Sequence, residues 1–446
     1  MTLSPSRNIS QLTQSAVAVV LAGGRGTRLE ALTKYRSKPA LHYGGKFRLI
    51  DFPLSNCINS GIRRIGVVTQ YKSHSLIRHL MNGWGGFNRH LGEYIDLLPA
   101  SQQYANDWYK GTADALYQNL QFIQKTRADY VIVLSGDQVY RMDYGELLAD
   151  HVKHDADVTV ACLPVQQSEA RGKLGIAQIN DEHRIIDFVE KPHNPCEIPG
   201  RPGWSLASMG IYVFNTDFLV EKLKEDAVAL SSRHDFGHNI IPDSIKRYRT
   251  FAYTFEEQAC QTQYWKDVGT LDNYFQANMD LLTRQCQFDL FDQHWPIWTY
   301  HGQTPPARFS KDECGRHGLT QDSLISGGCE IVGAQIIHSL LFTNVKVEGG
   351  ATVEHCVILP ETTIGQGASL KRVIVDSHCT VPAGIEIGHC AEADKRRGFT
   401  VTQQQITLVT QEMLDKMPLT SQRQQQLHLP TLKQTEESVV THKGQH

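Results

Sequence analysis

Residues 17–29 read Val-Ala-Val-Val-Leu-Ala-Gly-Gly-Arg-Gly-Thr-Arg-Leu. A short run of apolar, partly β-branched residues stops at Gly23 and Gly24, which predicts a buried strand entering a tight turn. Similar runs recur at 65–69, 130–134, 158–162 and 211–214. Segments with helical periodicity, such as 113–126 and 144–154, lie between several of them. Buried strands alternating with helices predict an α/β unit over 15–280, with a mostly parallel sheet covered on both faces. Ligands of such sheets sit at the carboxyl ends of the strands.

Residues with chemistry cluster where those strands end. Gly23, Gly24 and Gly26 let backbone N–H groups approach an anion, and Arg25 and Arg28 add charge. The alternative is a plain strand-to-helix turn with surface arginines, and the glycines alone leave both readings open. Lys38, before Pro39, is a further cation, although alone it reads as an exposed lysine. Asp137 closes the run 130–137, where a carboxylate can hold Mg²⁺ at the sheet edge. Asp267, in Tyr-Trp-Lys-Asp-Val-Gly-Thr (264–270), is a second candidate. Each taken singly reads more readily as structural. Thr112 is a candidate N-cap for the helix that follows Trp-Tyr-Lys-Gly (108–111). Glu190 and Lys191 stand side by side after a strand, an acceptor for hydroxyls next to a cation for phosphate, or else a surface charge pair.

Beyond residue 289 the pattern changes. Residues 289–309 carry Trp295, Trp298 and the pair Pro305-Pro306, and read as an ordered connector. Then Gly333, Gly350, Gly367 and Gly384 recur at a spacing of 17 residues. Within these units Leu341, Val347, Val353, then Ile358, Ile364, Leu370, then Val375, Val381, Ile387 mark a six-residue step. That period suits neither a helix nor one strand; it predicts a parallel β-helix with apolar residues pointing into a prism. In the first unit, 324–336, Glu330 falls on an apolar position. The Gln-, His-, Lys- and Thr-rich tail, 421–446, is expected to be disordered.

The 446 residues are 41% hydrophobic and 20% charged, with a net charge of −3. That balance argues against broad nucleic-acid or anionic-membrane binding. The first 15 residues show no signal-peptide pattern, and no apolar run reaches membrane-spanning length. The ten cysteines lack C-x-x-C spacing and read as free thiols of a reducing, cytoplasmic compartment.

Taken together, LAGGRGTRL (21–29), HYGGKFRLIDFPLSNCINSGI (42–62), WYKGTADA (108–115), FVEKP (188–192), SLASMGIYVF (205–214), HDFGHNIIP (234–242) and YWKDVGTL (264–271) resemble the bacterial glucose-1-phosphate adenylyltransferase (ADP-glucose pyrophosphorylase) family. The resemblance implies a Rossmann-like nucleotidyltransferase domain at 15–280, a connector at 281–310 and a left-handed parallel β-helix domain at 311–420. It implies ATP and glucose 1-phosphate as substrates, ADP-glucose and pyrophosphate as products, Mg²⁺ as cofactor, a role in glycogen synthesis and a homotetramer. By position it assigns the metal to Asp137 and Asp267, with Asp137 the catalytic carboxylate, and the triphosphate to Arg28 and Lys38. Leu21, Ala22, Gly23, Gly24, Tyr109 and Gly111 would line the nucleotide site. Gly175, Glu190, Lys191 and Ser208 would bind the glucosyl phosphate.

The family is usually allosteric, and AMP-type inhibitor residues align with Arg36, His42, Arg48, Ser75 and Arg372. The activator positions depart from the family: Tyr35, Gln411 and Asp415 stand where cations are expected, which predicts a poor response to fructose 1,6-bisphosphate. Three other readings compete. One is an enzyme using UTP or dTTP, or N-acetylglucosamine 1-phosphate. Another is a silent regulatory subunit, against which Arg28, Lys38, Asp137 and Asp267 all count. The third is acyl transfer by the β-helix, where His338 and His355 would stack on adjacent coils.

Overall fold

The computed structural model describes residues 5–24, 26–100, 108–255, 264–283 and 288–417. Arg25 and the tail 421–446 lie outside the described residues. The chain divides into two compact units, Met1–Pro305 and Pro306–His446.

The first unit is built on nine strands: β1 (Ala16–Ala22), β2 (Arg64–Thr69), β3 (Tyr94–Pro99), β4 (Tyr130–Ser135), β5 (Val158–Gln166), β6 (Ile176–Ile179), β7 (Ile185–Val189), β8 (Trp204–Asn215) and β9 (Thr250–Thr254). They order as β7-β6-β8-β4-β1-β2-β3, with β5 pairing both β8 and β9. Strands β1 to β4 are mutually parallel, as are β5 and β9; β8 is antiparallel to β4, β5 and β6, and β7 to β6. All strands except β7 and β8 therefore run the same way, as the mostly parallel expectation required. Both faces are covered: Val17, Val19, Val131 and Val133 enter one core, and Ala18, Val20, Ile132 and Leu134 the other. Two-sided burial explains why these strands read as continuous apolar runs rather than alternating ones.

The helix expected at 113–126 is two helices, Thr112–Tyr117 and Leu120–Thr126. The break is at Asn119, which leaves helical geometry and donates through Nδ2 to Tyr109 Oη (3.1 Å) and to the Ala115 carbonyl (2.8 Å). The Trp-rich segment is ordered and packs on the helix Asp51–Asn59. Trp295 Nε1 donates to Asn56 Oδ1 (2.9 Å), Trp298 N to Ser55 Oγ (2.8 Å) and Thr299 Oγ1 to Asp51 Oδ2 (2.7 Å).

In the second unit three parallel sheets stack coil on coil. Leu341, Ile358 and Val375 are in register, as are Val347, Ile364 and Val381, and Val353, Leu370 and Ile387. All nine are buried, so the six-residue step marks the inward face. The first coil corrects one expectation. Ile331, not Glu330, pairs with Val347 and is buried. The turn there runs Ile331-Val332-Gly333, one residue shorter than Val347-Glu348-Gly349-Gly350 a coil later, so the inward position shifts by one. The glycines at 333, 350, 367 and 384 have φ of 51°, 72°, 68° and 67°. Two further corners are left-handed without glycine in most coils. One carries Asp322, His338, His355 and Arg372; the other carries Asn344, Glu361 and His378.

Candidate active site

The carboxyl ends of β1 and β4 lie side by side, Leu21 against Ser135. Gly136 continues the contact by donating its N–H to the Leu21 carbonyl (3.0 Å), so Asp137 emerges next to the Gly23–Gly24 turn. A two-stranded ribbon, Gln138–Tyr140 with Trp265–Asp267, then brings the second carboxylate alongside by pairing Asp267 with Gln138. Between them stands Lys38, whose Nζ is 2.9 Å from Asp137 Oδ2 and 2.9 Å from Asp267 Oδ1. The lysine side chain is 6% exposed; each carboxylate side chain keeps 28% of its surface open. Burial pulls the Lys38 ammonium down, but the two carboxylates outweigh it and hold the ammonium above its ordinary value. Burial likewise favours protonation of Asp137; Lys38 and the Ser135 hydroxyl more than offset this and keep it ionised.

These groups form the floor of a cavity of about 480 Å³. Leu21, Gly23, Gly24, Arg28, Tyr109 and Gly111 line one side, and Glu190, Lys191 and Ser208 another. Ala22 is buried in the core rather than in the wall. Gly175 is buried behind the wall, and its function is steric: a Cβ there would stand 2.6 Å from Glu190 Oε2. Gly237 does the same from the other side, at 2.5 Å. Two glycines thus make the slot that holds the Glu190 carboxylate, which is paired with Lys191 Nζ at 3.0 Å. Lys191 itself has φ of 51°, a left-handed conformation unusual for a lysine and of the kind found at binding sites. Gly269 gives similar room to Arg28 and Asp267, since a Cβ on it would stand 3.0 Å from both Arg28 Nη2 and Asp267 Oδ2.

Thr112 is not an N-cap; Gly111 holds that position. The Thr112 hydroxyl instead donates to Asp235 Oδ2 (3.0 Å) and accepts from the Phe236 N–H (3.0 Å), tying the 108–114 loop to 234–237. Asp235, Phe236, Gly237, Trp265, Gln138 and Gln70 all line the cavity without having stood out in the sequence. Most lie inside or beside recognisable motifs, but a motif does not say which of its side chains turn inward.

Of the effector candidates, Arg36, His42, Arg48 and Ser75 are in the first unit. Burial lowers the Arg48 guanidinium to about 10; Asp51 opposes that, while Arg36 and Arg78 add to it. The Ser75 hydroxyl is buried and has no hydrogen-bond partner among the described residues. Arg372 belongs to the second unit, where its Nη2 donates to the Gln404 carbonyl (2.8 Å).

The donor set fits a small hard cation. Two carboxylates converge on one positive charge beside a glycine turn open to an anion. Mg²⁺ is commonly held by one or two carboxylates, with phosphate oxygens and water completing its shell. Among the described residues no group of three or more His, Cys, Asp or Glu could hold a metal by itself. No helix among them is long and apolar enough to cross a membrane, and the eight described cysteines are free thiols.

Comparison with known proteins agrees in both units. The nucleotidyl transferase family model matches residues 17–284, and a GlmU-like C-terminal hexapeptide model matches 305–409. The chain is 52% identical over 413 residues to the glucose-1-phosphate adenylyltransferase of Teredinibacter turnerae, covering 92% of this chain and 98% of that one. It is 53% identical over 413 residues to that of Shewanella sp. strain ANA-3, with the same coverage. It is 52% identical over 414 residues to that of Saccharophagus degradans, covering 93% and 97%.

Proposed function

The chain belongs to the glucose-1-phosphate adenylyltransferase family of nucleotidyl transferases, and from that premise we propose that the cavity above Lys38 joins ATP to α-D-glucose 1-phosphate, releasing pyrophosphate and forming ADP-glucose for glycogen synthesis. The observation that carries the site assignment is the Asp137–Lys38–Asp267 bridge on the floor of that cavity.

A phosphate oxygen of glucose 1-phosphate attacks the α-phosphorus of ATP in line, and the bond to pyrophosphate breaks. The attacking oxygen is already anionic near neutral pH, so no general base is needed. The barrier lies in bringing two polyanions together and in the charge that collects on the leaving pyrophosphate. Lys38 and Arg28 offset that charge, and the Gly23–Gly24 turn lets the backbone approach the phosphates. Leu21, Tyr109 and Gly111 border the nucleotide. Lys191 neutralises the sugar phosphate, while Glu190 and Ser208 orient its hydroxyls; Gly175 keeps the Glu190 slot open. Asp137 and Asp267 would hold Mg²⁺, which supplies further positive charge at the reacting phosphates.

Cytoplasmic location and a homotetramer remain part of the proposal. So does a nucleotide effector site of AMP type at Arg36, His42, Arg48 and Ser75, all within the first unit. The cationic cluster of Arg36, Arg48 and Arg78 supports it. Arg48 Nη1 also donates to the Ala40 carbonyl (3.1 Å), two residues beyond Lys38, so this cluster is hydrogen-bonded to the segment that carries the active-site lysine. Turnover of ATP, UTP and dTTP, each with glucose 1-phosphate and N-acetylglucosamine 1-phosphate, tests the assignment. ATP with glucose 1-phosphate is expected to dominate; faster turnover of another pair would overturn it.

A further inference from the structure

Gln138 follows Asp137 directly and faces Asp267 across the short ribbon. It is 8% exposed and lines the cavity. The two ends of its amide have different surroundings. Trp265 Nε1 lies 3.2 Å from Oε1. An indole N–H can only donate, so the oxygen must face the tryptophan and the NH₂ must point the other way. That NH₂ lies 3.7 Å from where a Cβ on Gly210 would stand, on the same wall as Ser208. Among the described residues nothing accepts a hydrogen bond from it. The NH₂ is thus a donor presented to the cavity, available to an acceptor on the substrate.

The charges say which acceptor. The phosphates already have Lys38, Arg28 and Lys191. The Gln138 amide is neutral, so it brings no further charge for a phosphate and suits an uncharged acceptor. On the nearby wall stand the Ser208 hydroxyl and the Glu190 carboxylate. Neutral donors combined with a carboxylate acceptor suit hydroxyl groups, which both accept and donate. We propose that Gln138 is a specificity-determining residue: its NH₂ donates to one hydroxyl of the glucose ring, and Trp265 is the positioning residue that keeps the amide turned that way. This rests on the sugar-phosphate reading of the Glu190–Lys191 wall.

The test compares kcat/KM for glucose 1-phosphate and each of its singly deoxygenated analogues in the full-length enzyme. Gln138→Met keeps length but loses the donor. Gln138→Glu keeps the shape and an acceptor for Trp265, and serves if the methionine variant fails to fold. In either variant the KM for glucose 1-phosphate is expected to rise about tenfold, with the KM for ATP unchanged. Discrimination against one deoxy analogue should disappear while the others are still rejected. Trp265→Phe should weaken discrimination at the same hydroxyl. Variants that reject every analogue as the wild type does, or that change only the ATP KM, overturn the proposal. Wild-type turnover of glucose 1-phosphate is the control. Its absence would sink the sugar-phosphate reading itself, whereas wild-type turnover with unaltered selectivity in the variants sinks only the role of Gln138.

Discussion

Lys38 answers to two carboxylates, and that shared pairing shapes what a substitution at either one does. In Asp137→Ala the lysine keeps Asp267 at 2.9 Å, so no buried charge is stranded. The fold should therefore survive while transition-state stabilisation is lost. A fall in kcat of about 10²–10³ is expected, with an unchanged unfolding temperature; near-normal turnover would remove Asp137 from the chemistry. A second residue governs stability rather than rate. His151 is fully buried, its Nε2 against Asn215 Oδ1 (3.2 Å) and its Nδ1 against Thr159 Oγ1 (2.8 Å). Asn215 is oriented by its own bond to the Ala156 carbonyl, so Nε2 carries the proton and Nδ1 accepts from the threonine. Burial pulls His151 from 6.5 down to about 4, despite the raising effects of Asn215, Asp157 and Asp155. Between those values the unfolded chain binds a proton that the folded one does not, so stability falls as pH drops. About 3 kcal/mol should be lost by pH 4. Denaturant unfolding of His151→Gln should show a shallower decline over that range; an equal decline would assign the acid sensitivity elsewhere.

The elements that meet at the site are joined by close backbone approaches that need particular residues. Gly111 has extended backbone that any residue could adopt, yet a Cβ on it would stand 2.2 Å from the His234 carbonyl oxygen. That carbonyl accepts from the Ala113 N–H at 2.8 Å, so it cannot simply swing away. Gly111→Ala should therefore push the 108–114 loop off 234–237 and displace Tyr109 and Glu190 together. Both substrate KM values should rise, and a change in only one would contradict this coupling. At this scale much is legible along the chain. The strand runs and the six-residue step are visible because burial on a fixed period leaves its mark on composition. The break at Asn119 is not, because it depends on a hydrogen bond to Tyr109, outside the helical segment. The first coil of the β-helix hides its register in the same way: a turn shorter by one residue moves the inward position from Glu330 to Ile331.

On the scale of the whole molecule, the proposed effector response is argued from three positions, each taken by itself. Tyr35 is 73% exposed in the first unit, and in the second Gln411 Nε2 donates to Asp415 Oδ1 at 2.8 Å. With no cation at any of the three positions, fructose 1,6-bisphosphate should activate weakly, and Tyr35→Lys with Gln411→Lys and Asp415→Arg should strengthen activation in a pyrophosphate-release assay. Strong activation of the unaltered enzyme would show that these positions do not control it. Composition and periodicity were enough to specify a mostly parallel α/β unit followed by a β-helix, because burying apolar side chains is a pattern along one dimension. They also named Gly23, Lys38, Asp137, Glu190 and Asp267 as candidates one at a time. Whether Asp137 and Asp267 meet, which glycines hollow the slot for Glu190, and which way the Gln138 amide faces depended on residues up to 229 positions apart being folded against each other. Distance in space, not spacing along the chain, sets the strength of a charge pair or a steric clash.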